Sequence, residues 1–222
     1  GSMRKKLVIR MIGISLLLEA AMMFISAIVA AHTGRDDSFV PLLFSGLIVG
    51  IFGAFPQIFV RDHSTEKHSI TIKAGYYIVV GSWLFACFFG IIPYLMYGGE
   101  FTFINALFES VSGFTTTGAS ILNDIEGLPP GLLFWRMSTA WMGGIGIVAL
   151  FSLVLPPNSG NGAVLTGVEV SGIARDDAST REKSLVKMMV TVYLSLTIIF
   201  IFTFRLCGMR WFDAVAHAMA TV

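Results

Sequence analysis

The sequence predicts an all-α integral membrane protein. Two N-terminal spans come first, then a unit made of span, re-entrant half-helix and span, and then the start of a second such unit. Three observations carry that prediction. Hydrophobic residues make up 55% of the 222 and charged residues only 13%, about half of what a soluble domain carries, and the mean hydropathy is +0.78. The apolar residues gather into five long segments, each near the roughly 20 residues that cross a bilayer. Between the third and fourth lies an apolar segment too short to cross.

The first span, 7–31, follows Arg4, Lys5 and Lys6. It is too long for a signal-peptide core and has no convincing cleavage site, so it reads as retained; Gly1 and Ser2 ahead of Met3 read as a protease-cleavage scar. It carries Glu19 near its middle, where an ionisable group is functional unless a neighbouring helix satisfies it. Such a polar contact is the simpler expectation. The turn HTGRDDS ends this span, and the second, 39–60, completes an N-terminal pair over 7–60. A charged linker with His63 and His68 follows, their spacing unsuited to a metal site. The third span, 72–97, contains Pro93 and closes on Gly98 and Gly99. The fourth, 132–155, contains WMGGIGIV, whose Gly143, Gly144 and Gly146 suit close helix approach beside the preceding turn. Together 72–155 form the first complete unit. Residues 156–184 read as a polar, cytoplasmic connection that mixes both signs of charge and suits the docking of a regulatory partner. The fifth span, 185–207, and a short apolar piece, 209–222, open a second unit that stops within its half-helix. Cys87 and Cys207 lie in apolar segments and read as small hydrophobes. No phosphate loop, nucleotide fingerprint or metal-ligand cluster marks an enzyme.

The distribution of Lys and Arg orients the chain. With the N-terminus in the cytoplasm, the inside segments hold Arg4, Lys5, Lys6, Arg10, Arg61, Lys67, Lys73, Arg175, Arg181, Lys183 and Lys187. The outside ends hold only Arg35, Arg136, Arg205 and Arg210. The half-helix therefore dips in from the outside.

That segment, FTFINALFESVSGFTTTGAS at 101–120, carries the expected chemistry. Bare backbone carbonyls at membrane depth must be enclosed by protein or line a water-filled path. A column of such carbonyls replaces an ion's water shell without a fixed charge that would hold it too tightly. Thr115, Thr116, Thr117, Gly118 and Ala119 are the candidate ion-binding filter, with potassium at Thr116, Thr117 and Gly118, where Gly118 supplies a positive φ. The half-helix points its C-terminal end, with its partial negative charge, toward the ion. Glu109 and Asn105 are candidate filter supports; Asn105 also suits capping of the first turn, and Glu109 suits either a place behind the filter or the outer vestibule. A shift of 108 places FINALFESVSGF on WFDAVAHAMATV, aligning Phe103 with Trp211, Asn105 with Asp213 and Ala106 with Ala214. The unit is therefore repeated.

SGFTTTGAS, followed by FWRMSTAWMGGIGIV, resembles the membrane subunit of the Trk/Ktr/HKT potassium uptake systems, in particular the TrkH type, and the two spans ahead of the first unit match its arrangement. The resemblance implies four span–half-helix–span units arranged pseudo-fourfold around a potassium pore in the bacterial inner membrane, each with a central filter glycine, here Gly118. It implies potassium as transported substrate with no cofactor in this chain. It also implies a homodimer in the lipid bilayer and a cytoplasmic TrkA-like gating ring that itself binds the nucleotide. Nucleic acid is not an expected partner. Only one unit and part of a second are present, which reads as the N-terminal portion of a longer protein. A non-conducting scaffold or regulatory piece, and a small homotetrameric cation channel, are the alternative readings.

Overall fold

The computed structural model describes residues 2–34, 36–60, 72–154 and 172–222. His63 and His68 lie outside them, as does 155–171, which includes most of the expected connection. The described chain forms eight helices: α1 (Ser2–His32), α2 (Phe39–Phe59), α3 (Ile72–Phe89), α4 (Ile92–Tyr97), α5 (Phe103–Phe114), α6 (Pro130–Val154), α7 (Gly172–Leu206) and α8 (Trp211–Thr221). Within the described residues, four segments are long and apolar enough to cross a membrane: Lys5–His32, Phe39–Phe59, Ala74–Tyr97 and Lys187–Leu206. With 25 residues, α6 is about 37 Å long, enough for the same task. With 12 residues, α5 is about 18 Å long and is not.

α1 and α2 pack as a close antiparallel pair because small residues let their backbones meet. A Cβ on Gly13 would lie 2.8 Å from the Gly53 carbonyl oxygen, and one on Gly53 the same distance from that of Gly13. Beside this crossing the Gln57 amide donates to the Arg10 carbonyl at 2.7 Å. The core lies between these two helices and α4, α5 and α6, with Met23, Leu42, Tyr94 and Trp135 fully buried.

Where α1 ends and α2 begins, Asp36 joins the α1–α2 turn to α6. One carboxylate oxygen accepts from Ser38 N at 3.0 Å and from its hydroxyl. The other accepts from Thr33 Oγ1 at 3.2 Å and from Gly131 N at 3.0 Å. That last bond satisfies an amide in the first turn of α6, which no intrahelical acceptor reaches. Asp36→Ala is expected to cost about 1–2 kcal/mol, the usual worth of a capping carboxylate, read as a lower melting temperature in detergent; an unchanged melt would deny the cap its role.

The third span is not one helix. α3 ends at Phe89, and α4 restarts two residues later with Pro93 in its first turn, where a missing amide costs nothing. The break leaves the Cys87 carbonyl without its helical donor, and Ser110 Oγ of α5 supplies one at 2.7 Å. Gly90 faces the same place, because a Cβ there would come within 2.6 Å of Ser110 Oγ. Toward the other end of the chain, the expected polar connection is helical from Gly172, so α7 has 35 residues. Only 11% of its apolar stretch Lys187–Leu206 is buried within the described residues, against 39% for the spans of α1 and α2.

Two buried polar expectations need correction. Glu19 is 1% exposed, but neither carboxylate oxygen finds a hydrogen-bond partner in the structure, so the expected interhelical contact is not made among the described residues. Cys87 is half-buried, whereas Cys207, just past α7, is exposed.

Candidate functional site

The site is built from the last turn of α5, the five residues after it and the helix α6 packed behind them. α5 starts on Thr102, whose hydroxyl accepts from Asn105 N at 3.3 Å. Its last turn then acts as an acceptor for the chain beyond. Thr115 N donates to Val111 O at 2.9 Å, Thr116 N to Gly113 O at 2.9 Å, Thr117 N to Ser112 O at 3.0 Å, and Gly118 N to Ser112 O at 3.3 Å. Every peptide here is trans, so each carbonyl points opposite to the amide that follows it. The carbonyls of Thr115, Thr116 and Thr117 are therefore turned away from the helix, toward the exposed side of residues 115–119.

Two left-handed residues make that path. Gly118 has φ +74°, as glycine allows, and nothing lies within 4 Å of where its Cβ would stand. Glycine is needed for its conformation and not for space. Thr116 has φ +57° and is the sole non-glycine residue with positive φ among the described residues. A β-branched residue in this region is strained, and such strain gathers at functional sites. Composition gave no sign of it. The Thr115 and Thr117 hydroxyls pair at 2.8 Å across Thr116.

The strand leaving the turn is tied back at two points. Ser112 Oγ donates to the Ala119 carbonyl at 2.5 Å. One residue further, Glu109 Oε1 accepts from Ser120 Oγ at 2.6 Å and from Ile121 N at 2.8 Å. The other Glu109 oxygen accepts from Arg136 Nε of α6 at 2.9 Å, in an ion pair whose side chains are 0% and 12% exposed. Glu109 is thus buried between α6 and residues 120 and 121, which run on from the turn. Asn105 lies at the opposite end of α5. Its amide donates to Glu100 O at 2.7 Å, and the Glu100 carboxylate in turn accepts from Asn123. Its bonds serve the helix start, and none of them reaches residues 115–119.

α6 presses against the end of α5 through glycine. A Cβ on Gly143 would overlap the Phe114 carbonyl, and one on Gly113 would overlap Thr139 Oγ1. Gly144 and Gly146 face the Tyr193 hydroxyl and the Trp83 indole nitrogen. This is the close packing expected of WMGGIGIV. Tyr193 OH donates to Trp141 O at 3.0 Å, and Trp141 Nε1 donates to Thr197 at 3.1 Å, which ties α7 to the same helix.

α8 reproduces the start of α5. Their N-caps, Thr102 and Arg210, have φ −65° with ψ 167° and 155°. The cap chemistry differs: Thr102 bonds an amide, while the exposed Arg210 pairs with Asp213 at 2.9 Å. Both short helices end at one opening of about 560 Å³, bordered by Thr116, Gly118 and Arg136 on one side and by Met219 and Val222 on the other.

Arg136, Ser112 and Ser120 are the site residues that sequence reasoning missed. A signal existed for the first. Glu109 and Arg136 are isolated opposite charges in apolar segments 27 residues apart, and each needs a partner if buried.

Comparison with known proteins gives the family. The family described as "TrkH: Cation transport protein" matches residues 44–222. The Trk system potassium uptake protein TrkH of Vibrio parahaemolyticus is 34% identical over 99% of this chain and 45% of its own length; that of Escherichia coli is 30% identical over the same shares. The crystal structure of the potassium transporter TrkH from Vibrio parahaemolyticus superposes with a TM-score of 0.74 at 29% identity, covering 96% of this chain and 42% of that one. The chain thus spans a little under half the length of these relatives. By the extent of these matches, it belongs to the TrkH family of cation transport proteins.

Proposed function

We propose that this chain forms part of the potassium path of a Trk-type uptake protein, with Thr115, Thr116, Thr117, Gly118 and Ala119 as one wall of its selectivity filter. The observation that carries this reading is the bonding of the 115–118 amides back to α5, which turns the intervening carbonyls away from that helix beside an opening that Thr116, Gly118 and the end of α8 border. Carbonyl oxygens in a row replace the water of a cation, and the C-terminal end of α5 adds its partial negative charge. Potassium is the transported ion, as the relatives' names suggest, held at Thr116, Thr117 and Gly118. α5 and α8 enter from the outside as re-entrant helices in the cell inner membrane, with the N-terminus in the cytoplasm as the charge distribution suggests. A second copy and a TrkA-like cytoplasmic ring are the proposed partners.

Gly118→Ala tests the filter. The substitution forces an alanine into the left-handed region, at a cost of about 1–2 kcal/mol. In the full-length protein, the ratio of potassium to sodium uptake is expected to fall about tenfold or more. An unchanged ratio would remove residues 115–119 from the ion path.

A further inference from the structure

We propose that Arg136 is a positioning residue for the filter. Acting through Glu109, it fixes the strand that leaves the filter and keeps its own charge off the ion path. This rests on the filter reading above.

The geometry divides the work of Glu109 between its two oxygens. Oε2 takes Arg136 Nε, and Oε1 takes the hydroxyl of Ser120 and the amide of Ile121. A buried carboxylate turns freely about its last bond unless something holds one oxygen, and Arg136 on α6 is that hold. With Oε2 fixed, Oε1 presents itself to residues 120 and 121. Residues 115–118 are then strung between two anchored ends, the α5 carbonyls of residues 111–113 and the Glu109–Ser112 pair that grips residues 119–121. The left-handed Thr116 lies midway. A strained residue keeps its conformation only where its surroundings over-determine it, and the second anchor provides this on the exit side.

The location of Arg136 adds a second consequence. It borders the same opening as Thr116 and Gly118, so a guanidinium released there would stand beside a path meant for cations. Like charges in a site of reduced dielectric repel strongly. Paired with Glu109, Arg136 presents no net charge to that opening. An arginine suits this place better than a lysine, because its planar fork holds a carboxylate in one orientation where an ammonium holds it as a point charge.

The test compares R136Q, R136K, E109Q and the double variant E109Q/R136Q in the full-length protein, measuring potassium and sodium uptake separately in cells lacking other potassium uptake. R136Q is expected to lower the potassium-to-sodium ratio about tenfold, with a smaller fall in maximal potassium rate. R136K is expected to fall between R136Q and the unaltered protein. The double variant is expected to match R136Q, since residues that act as a unit are not additive. A wild-type ratio in R136Q, or additive losses in the double variant, would overturn the proposal. If R136Q fails to reach the membrane, R136K decides: a lowered ratio supports the proposal and a wild-type ratio overturns it. Gly118→Ala, run in parallel, separates the two readings. Lost selectivity there with R136Q unchanged removes only the role of Arg136, whereas no change in either removes the filter as well.

Discussion

Alanine at Gly143 is expected to abolish uptake by preventing α6 from seating against α5. Its Cβ would overlap the Phe114 carbonyl oxygen and lie 2.8 Å from the carbonyl carbon and 3.1 Å from Cα. All three are backbone atoms at the end of a helix, so no side chain can swing aside to admit the methyl. Overpacking costs typically about 1–3 kcal/mol and more where the neighbours cannot yield, and here relaxation moves the residues that lead into 115–119. Gly144→Ala is the comparison, since its Cβ would meet the tip of the Tyr193 side chain, which can shift where backbone cannot, at the expense of its bond to Trp141. Thermal unfolding in detergent is expected to place Gly143→Ala well below Gly144→Ala. Equal melts would mean that the helices do not meet at position 143 as closely as described.

The second large effect is expected from Glu109→Ala. One truncation removes the acceptor of Arg136, of Ser120 Oγ and of Ile121 N. Breaking a buried ion pair by deleting one partner costs about 3–5 kcal/mol, because the surviving charge is left without compensation. Glu109→Gln is expected to be milder. Its amide oxygen can still accept from Ser120 and Ile121, so chiefly the arginine loses a partner. The two variants, compared by melting temperature and membrane abundance, should rank alanine below glutamine. Alanine equal to the native protein would show that the pair carries no stability.

What the sequence made legible followed from composition and length. An apolar run near twenty residues has few options in a membrane, and a twelve-residue one ahead of Thr-Thr-Thr-Gly has fewer still. Thus the long helices, the short α5 and the glycine-mediated seat of α6 were all within reach. The repeat likewise anticipated α8. What was not legible depends on partners distant in the chain. The third span was read as one helix containing Pro93, and nothing local said that it stops at Phe89 or that Ser110 takes up the freed carbonyl. The helical start of α7 at Gly172 was hidden because a charged segment reads equally as solvated loop or solvated helix. The left-handed φ of Thr116 contradicts its own propensity and is imposed by bonds to Ser112 and Gly113. Glu109 could be named but not oriented, because its direction is set by Arg136, which had been weighed only as an outside charge. Glu19 was expected to find a partner and finds none among the described residues, an outcome only packing can reveal.

The link from Glu109 to Arg136 also bears on how the chain matures. By residue 121 a ribosome has made every atom of the turn and its return strand, yet the second anchor still lacks its outer hold. That hold waits until α6 has been synthesised and inserted alongside, and the same helix end must also meet Asp36, made 95 residues before Gly131. The turn at residues 115–119 is therefore finished by the arrival of a later helix and not by its own synthesis. Until that helix arrives, the nascent chain carries an unpaired acid and, soon afterwards, an unpaired base within its apolar segments. Their meeting is a checkpoint that an insertion intermediate either passes or fails.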